Sequence, residues 1–162
     1  MTIRLPLVLG ADGLPQQLQS GDSITSPTNA PSIRAVTNAE SSAALTFGMP
    51  VYASAADSVK RAQANAKTTS KLAGLVYDAT IAAAAVGNVA QSGVLVGTTT
   101  QWDAVAGTTG GLSFGTVYFL DPANVGKITA TPPATVGQVN VVVGTALSAT
   151  ELEMAITLPV LL

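Results

Sequence analysis

From Glu151 to Leu158 the side chains alternate without a break. Leu152, Met154, Ile156 and Leu158 fall on one side, and Glu151, Glu153, Ala155 and Thr157 on the other. An extended chain, with its two-residue period, puts four large apolar groups on one face in this way; a helix would scatter them around its circumference. The segment therefore reads as a half-buried strand. Its register predicts that Leu152, Met154 and Ile156 are core and that Glu151 and Glu153 are not. A slip of one residue would bury both glutamates.

The same reading extends backward. Val51–Ala53 and Val59–Ala62 flank Ala56–Ser58 as the arms of a hairpin. Leu72–Tyr77 reads as a buried strand. Val86–Ala90 and Val94–Val96 read as two short strands on either side of Gly93. Thr116–Leu120 is β-branched and aromatic and stops at Asp121-Pro122. Lys127–Thr131 stops at Pro132-Pro133, and Gln138–Gly144 is rich in valine. Two alanine-rich segments have a helical alternative: Ala53–Ala66, and Ala82–Ala85 with Gly87 as its stop. Short strands at this spacing predict an all-β protein, a small β-sandwich or barrel, spanning residues 33–162.

Residues 1–32 differ. Pro6, Pro15, Pro27 and Pro31 each disfavour helix at the residue before them. Ile3, Leu5, Leu7 and Leu9 alternate around Arg4, Pro6 and Val8, a short extended strand. Gly10-Ala11-Asp12-Gly13 follows as a turn, and Ser20-Gly21-Asp22 and Ser26-Pro27-Thr28-Asn29 are further turn signals. The segment reads as an extended N-terminal arm or as the first strand and loop of the domain itself; in either case its apolar edge (Ile3, Leu5, Leu7, Leu9) must add to a sheet, its own or a neighbour's. Pro6 lacks a backbone donor, so this strand belongs at a sheet edge. A neighbouring molecule is the favoured acceptor, because residues 10–32 hold few core candidates.

Composition narrows function chiefly by exclusion. The chain has no Cys and no His. That removes disulfide frameworks, thiolate nucleophiles, Cys/His zinc sites and triads with an imidazole base. Only 10% of residues are charged, and the net charge is −2. The basic excess of a nucleic-acid binder is missing. Mean hydropathy is +0.44. Surface of this kind is usually covered by other subunits. The charge-free stretch Ala79–Trp102 is long enough to span a bilayer, but Gly87, Gly93, Gly97 and many polar residues interrupt it. The apolar run Leu5–Leu9 is too short for a signal peptide. Neither a membrane nor an export route is expected.

The chemical signals are weak. Gly126-Lys127 lacks the upstream glycine of a phosphate loop, and Ile128 stands where Ser or Thr is needed. Gly107–Gly111 is glycine-rich without dinucleotide-binding spacing and reads as a mobile loop. Glu151 and Glu153 form the one close carboxylate pair, roughly 7 Å apart on a strand. Without a third ligand they read as a solvated face or a polar rim. Lys60, Arg61, Lys67 and Lys71 concentrate basic charge, either to solubilise a hairpin or to meet an acidic partner. Trp102 is either an interface anchor or a lid on the core. Catalytic, cofactor-binding and metal-binding residues are not expected. The interface candidates are Ile3, Leu5, Leu7, Leu9, Lys60, Arg61 and Trp102.

Residues 111–156 carry a recognisable order of elements. Gly115, Tyr118 and Leu120 lie on a strand that ends at Pro122. Gly126-Lys127-Ile128-Thr129 follows, then Pro132-Pro133, then Val143-Gly144-Thr145-Ala146-Leu147-Ser148 leading into Thr150-Glu151-Leu152. This order resembles a module of tailed-bacteriophage structural proteins. Upstream, Gly48–Tyr52, Leu72–Tyr77 and Val94–Trp102 are similar to the preceding strands of small capsid decoration (cement) proteins, and the opening residues 5–24 resemble those of phage virion proteins. The resemblance implies a non-enzymatic structural protein on the outer capsid surface of a virion. It would clamp neighbouring subunits of the major capsid protein and associate with copies of itself as a homotrimer. Tail-fibre modules share the C-terminal pattern, so a tail-fibre or baseplate component is the alternative.

Overall fold

The computed structural model describes residues 30–162, together with the backbone of two short strands before them, β1 (Leu7–Leu9) and β2 (Pro15–Gln17). The chain continues as β3 (Ser32–Asn38), β4 (Leu45–Thr46), β5 (Pro50–Ala55), β6 (Ser58–Arg61), β7 (Leu72–Val76), β8 (Thr80–Ile81) and β9 (Val86–Val96). A single helix among the described residues, α1 (Thr99–Ala106), precedes β10 (Val117–Leu120), β11 (Ile128–Thr129), β12 (Val139–Asn140), β13 (Val142–Ala146), β14 (Glu151–Met154) and β15 (Val160–Leu161). The fold is nearly all β.

Nine strands form one continuous ladder in the order β11-β10-β13-β14-β9-β3-β6-β5-β7, and β7 pairs back onto β9. That last pairing closes β9, β3, β6, β5 and β7 into a small barrel. Ala90 and Val89 are its seam: they face Ile33 and Arg34 of β3 on one side, and Leu75 and Val76 of β7 on the other. The barrel interior is aliphatic, with Val36, Val51, Val59, Val76 and Val89 buried in one cluster with Leu45 and Ile81. Leu45 and Ile81 face each other in the β4–β8 pair and stop one end of the barrel.

The remaining strands, β11-β10-β13-β14, extend from the far end of β9 as a second sheet. A larger cluster packs between this sheet, α1 and the barrel wall, and includes Leu75, Ala90, Leu95, Trp102, Tyr118, Leu120, Val143 and Leu152. Strand β9 therefore serves both layers. Val86–Ser92 pairs with β3, and Gly93–Val96 pairs with β14. The sequence pattern reads this stretch as two strands; the structure makes it one. Gly93 has φ 92°, in the left-handed region open to glycine, and the β3 register slips beside it between Ser32 and Ile33. A bulge of this kind bends a strand and lets it change partners without ending it.

The predicted hairpin at Ala56–Ser58 is present, with Ala53 opposite Val59 and Asp57 at φ 49°. The expected register of the last strand also holds near its start. Leu152 and Met154 are buried, Ile156 packs partly against the core, and Glu153 is exposed. Its length needs correction. β14 ends at Met154, and Leu158 is 85% exposed. Beyond Met154 the chain still contacts the start of β13, with Thr157 N–H bonded to the Val142 carbonyl at 3.1 Å. Leu158 then runs past the edge of the core into Pro159, so its alternation has nothing to bury it.

Neither alanine-rich segment is helical. Ala53–Ala66 holds the β5–β6 hairpin and the turns after it, and Ala82–Ala85 is a turn with Ala84 at φ 61°. The helix lies instead at Thr99–Ala106. Its ends are specified locally: Thr98 Oγ1 accepts from Gln101 N–H, the Gln101 side chain accepts from Thr98 N–H, and Gly107 closes the C-terminus in the left-handed conformation.

Within residues 1–29, β1 pairs antiparallel with β2, Leu7 opposite Gln17 and Leu9 opposite Pro15. The apolar strand thus has a partner in its own chain. Ile3 and Leu5 lie outside the described residues.

Candidate interaction surfaces

The interface candidates do not converge on one site. Trp102 is fully buried, which corrects its reading as an interface anchor. Its ring meets Phe47 edge-on at 5.5 Å, and its Nε1–H donates to the Thr150 carbonyl at 3.0 Å. α1 has few apolar positions, and Trp102 and Val105 are the two that it buries. The indole is the peg that fixes the helix to the core.

Arg61 is likewise committed inside the chain. Its Nε and its backbone N–H both donate to Glu40 Oε1, at 3.2 and 3.0 Å. Burial pushes the Glu40 carboxyl up, but the two bonds from Arg61 and the nearby charges of Arg61 and Lys60 outweigh it. The net value lies below the ordinary carboxylate range. Arg61 therefore ties β6 to the segment after β3. Lys60 is half-buried beside it on β6.

The glycine-rich segment after α1 is tied down, contrary to its reading as a mobile loop. Asp103 accepts from Gly111 N–H at 2.7 Å, from Gly110 N–H at 3.0 Å and from Thr108 Oγ1 at 3.0 Å. The Gly111 bond is the largest influence on the carboxyl. Together with Gly110 and Thr108 it outweighs desolvation and holds the pKa below the ordinary aspartate value. The linkage has a definite sign. A carboxylate whose folded pKa is depressed contributes stability above its unfolded pKa, about 3.9, and loses it as pH falls through the folded value. The wild-type protein is expected to lose melting temperature between pH 4 and pH 2 more steeply than Asp103→Asn. Parallel acid profiles in thermal melts would show that the carboxylate does not hold this loop.

The sequence did not reveal the exposed apolar surface of the second sheet. Ladder register places Val117, Thr145, Glu153 and Val94 in one row across β10, β13, β14 and β9, with Glu151 opposite Val96 beside it. These residues share the face opposite buried Tyr118, Ala146, Leu152 and Leu95. Val117 and Val96 are exposed, as are Leu147 in the β13–β14 turn and Phe114 in the turn before β10, the last at 81%. Glu151 and Glu153 are thus two carboxylates on a weakly polar, open strand face. Among the described residues no group of three or more acidic side chains that could hold a metal ion is present.

A second exposed apolar group surrounds the β12–β15 pair. Gly137 N–H bonds the Leu162 carbonyl at 2.9 Å, bringing Val136 beside the C-terminal residues Val160, Leu161 and Leu162, all exposed. The third feature is the other end of the barrel, which no large apolar side chain stops among the described residues. Arg34, Ala53, Ala55, Ala73 and Gln91, with Val36, Val59 and Val89 below them, surround a recess of about 140 Å³. Alanines at the rim leave this space, whereas Leu45 and Ile81 fill the other end.

Among the described residues no helix is long and apolar enough to cross a membrane. No protein-family model matches the chain, and no curated protein matches it.

Proposed function

We propose that this protein is a structural component of a tailed-phage virion that decorates the outer capsid surface and stabilises the shell. The observation that carries the proposal is the open face of β10, β13, β14 and β9, on which Val117 and Val96 are exposed, with Leu147 and Phe114 exposed in the turns that adjoin it. A rigid face of this kind suits a docking role. Apolar side chains supply the contact core of an interface, and flanking groups such as Glu151 and Glu153 supply its polar rim. The sequence resemblance at residues 111–156 covers three of the four strands that build this face, β10, β13 and β14.

In this reading the work is mechanical. Each copy bridges adjacent subunits of the major capsid protein, and three copies associate around a local threefold position. A ligand that binds the assembled shell and not its separated subunits shifts the equilibrium toward assembly by mass action. Neither chemical catalysis nor nucleic acid enters this role.

The test is the position of the protein in the particle and the dependence of binding on this face. A cryo-EM map of the virion should show many copies spread over the shell. Phe114→Asp, at a site where a surface change should shift stability by no more than about 0.5 kcal/mol, should keep its β circular dichroism and lose at least tenfold in capsid affinity. A few copies confined to the tail would replace this reading with a tail-fibre or baseplate role. Undiminished shell binding by Phe114→Asp would remove the face from it.

A further inference from the structure

The β12–β15 ribbon carries apolar surface that its own chain leaves uncovered. Val136 is 89% exposed, and Leu158, Val160, Leu161 and Leu162 are exposed with it. Ladder register holds them together: Leu161 stands opposite Val139, Val160 opposite Asn140, and Gly137 N–H bonds the Leu162 carbonyl. Leu158 leads into the ribbon through Pro159. Leu161 shares a face with Val139, which is fully buried, yet lies open beyond the edge of the core. Val160 points to the opposite face and is open as well.

Area and charge both bear on what covers this surface. Five side chains at these exposures present on the order of 500 Å² of apolar surface, toward the upper end for the largest patch on a typical monomer. The same figure matches the apolar share, about 65%, of the roughly 800 Å² that each partner gives to a homodimer interface of standard size. Neither residues 128–150 nor residues 154–162 contain Asp, Glu, Lys or Arg. Two uncharged patches of this kind meet without like-charge repulsion. A charged surface pressed against one would lose its hydration and gain no partner.

The backbone supplies the geometry. β12 is occupied on both sides, by β15 and by Ala64, whose carbonyl accepts from Val139 N–H at 2.9 Å. β15 pairs with β12 alone, so its outer edge is open among the described residues. Leu162 N–H donates inward to the Gln138 carbonyl at 2.9 Å. Antiparallel alternation then turns the N–H and C=O of Leu161 outward. Pro159 lacks a donor and limits this edge to one reciprocal pair of bonds.

We propose that the ribbon is the contact surface for a second copy of this chain, with the two β15 strands antiparallel about a twofold axis at Leu161. Leu161 N–H of each copy donates to the Leu161 carbonyl of the other, and Val160 lies opposite Leu162. The two ribbons become one four-stranded sheet with strand order β12-β15-β15-β12. This contact uses strands other than those of the face assigned above to docking, so it stands apart from that reading. A twofold contact of this kind joins one threefold group of copies to the next.

The absence of cysteine makes the test clean. Sedimentation of the full chain at tens of micromolar should give twice the 16.2 kDa of one copy, or a multiple of that dimer. Leu161→Cys lies on the axis and should cross-link to its own counterpart under mild oxidation, at least tenfold faster than Phe114→Cys, an exposed site away from the ribbon. Leu158→Asp and Leu161→Asp should keep their β circular dichroism and weaken the association at least tenfold, whereas Phe114→Asp should leave it intact. Leu158 belongs to no strand, so its variant leaves the ladder in place. A monomer at ~100 μM, equal cross-linking of the two cysteine variants, or an oligomer untouched by both aspartates would overturn the proposal. A trimer that falls directly to monomers with Leu161→Asp would overturn the twofold geometry.

Discussion

Trp102→Ala is expected to cost about 3–5 kcal/mol in a denaturant melt, the range for removing a large aromatic side chain from a core. The change removes the edge-on contact with Phe47 and the main anchor between α1 and the rest of the protein. It also leaves the Thr150 carbonyl without the indole N–H, its donor at 3.0 Å. The space around the ring is shaped to it: a Cβ added at Gly97 would lie 2.3 Å from the Phe47 ring and 3.1 Å from the indole nitrogen. The surrounding backbone therefore cannot collapse cheaply into the hole. Trp102→Phe separates the two contributions. It retains much of the packing and should lose about 1–3 kcal/mol, from the orphaned carbonyl and the smaller ring. A loss below about 1 kcal/mol for Trp102→Ala would mean that α1 is not pinned by this residue.

Gly74→Ala is expected to destabilise the protein by at least ~3 kcal/mol, or to prevent the barrel from closing. Gly74 sits on β7 at φ 152°, at the margin of the region that side chains rarely enter. An added Cβ would stand 2.2 Å from the Ala90 carbonyl oxygen and 2.6 Å from a Val89 methyl. Those are the β9 residues that β7 meets to close the ring. Backbone cannot give way as a flexible side chain can, so β7 and β9 must separate. Amide exchange should then accelerate in β7 and β9 before it does in the second sheet. Wild-type stability with Gly74→Ala would show that the β7–β9 seam is not needed for the fold.

Much of the strand content was legible because period-two patterning is local. The β5–β6 hairpin, β7, β10 and the start of β14 each announce themselves within four to eight residues. The helix was equally local, in its capping box at Thr98 and Gln101 and its stop at Gly107, but the β-branched Thr98-Thr99-Thr100 run has a low helix preference and opposes those signals. Trp102 could not be placed from sequence, because a tryptophan suits an interface and a core alike. Burial, the Phe47 contact and the Thr150 bond settle it, and both partners lie about 50 residues away in sequence.

What the sequence by itself determined is the all-β class and the register that puts Leu152 and Met154 inside. These follow from alternation and composition, which act through neighbouring residues and through solvent. The closure of five strands into a barrel was decided only by tertiary structure, as was the sharing of β9 between barrel and sheet. So was the gathering of Val117, Glu153, Val94 and Val96 on one open face. Each depends on which strands lie side by side, and that is fixed by backbone hydrogen bonds and packing between distant segments. The local pattern of a strand states which face is apolar, but not what will cover it.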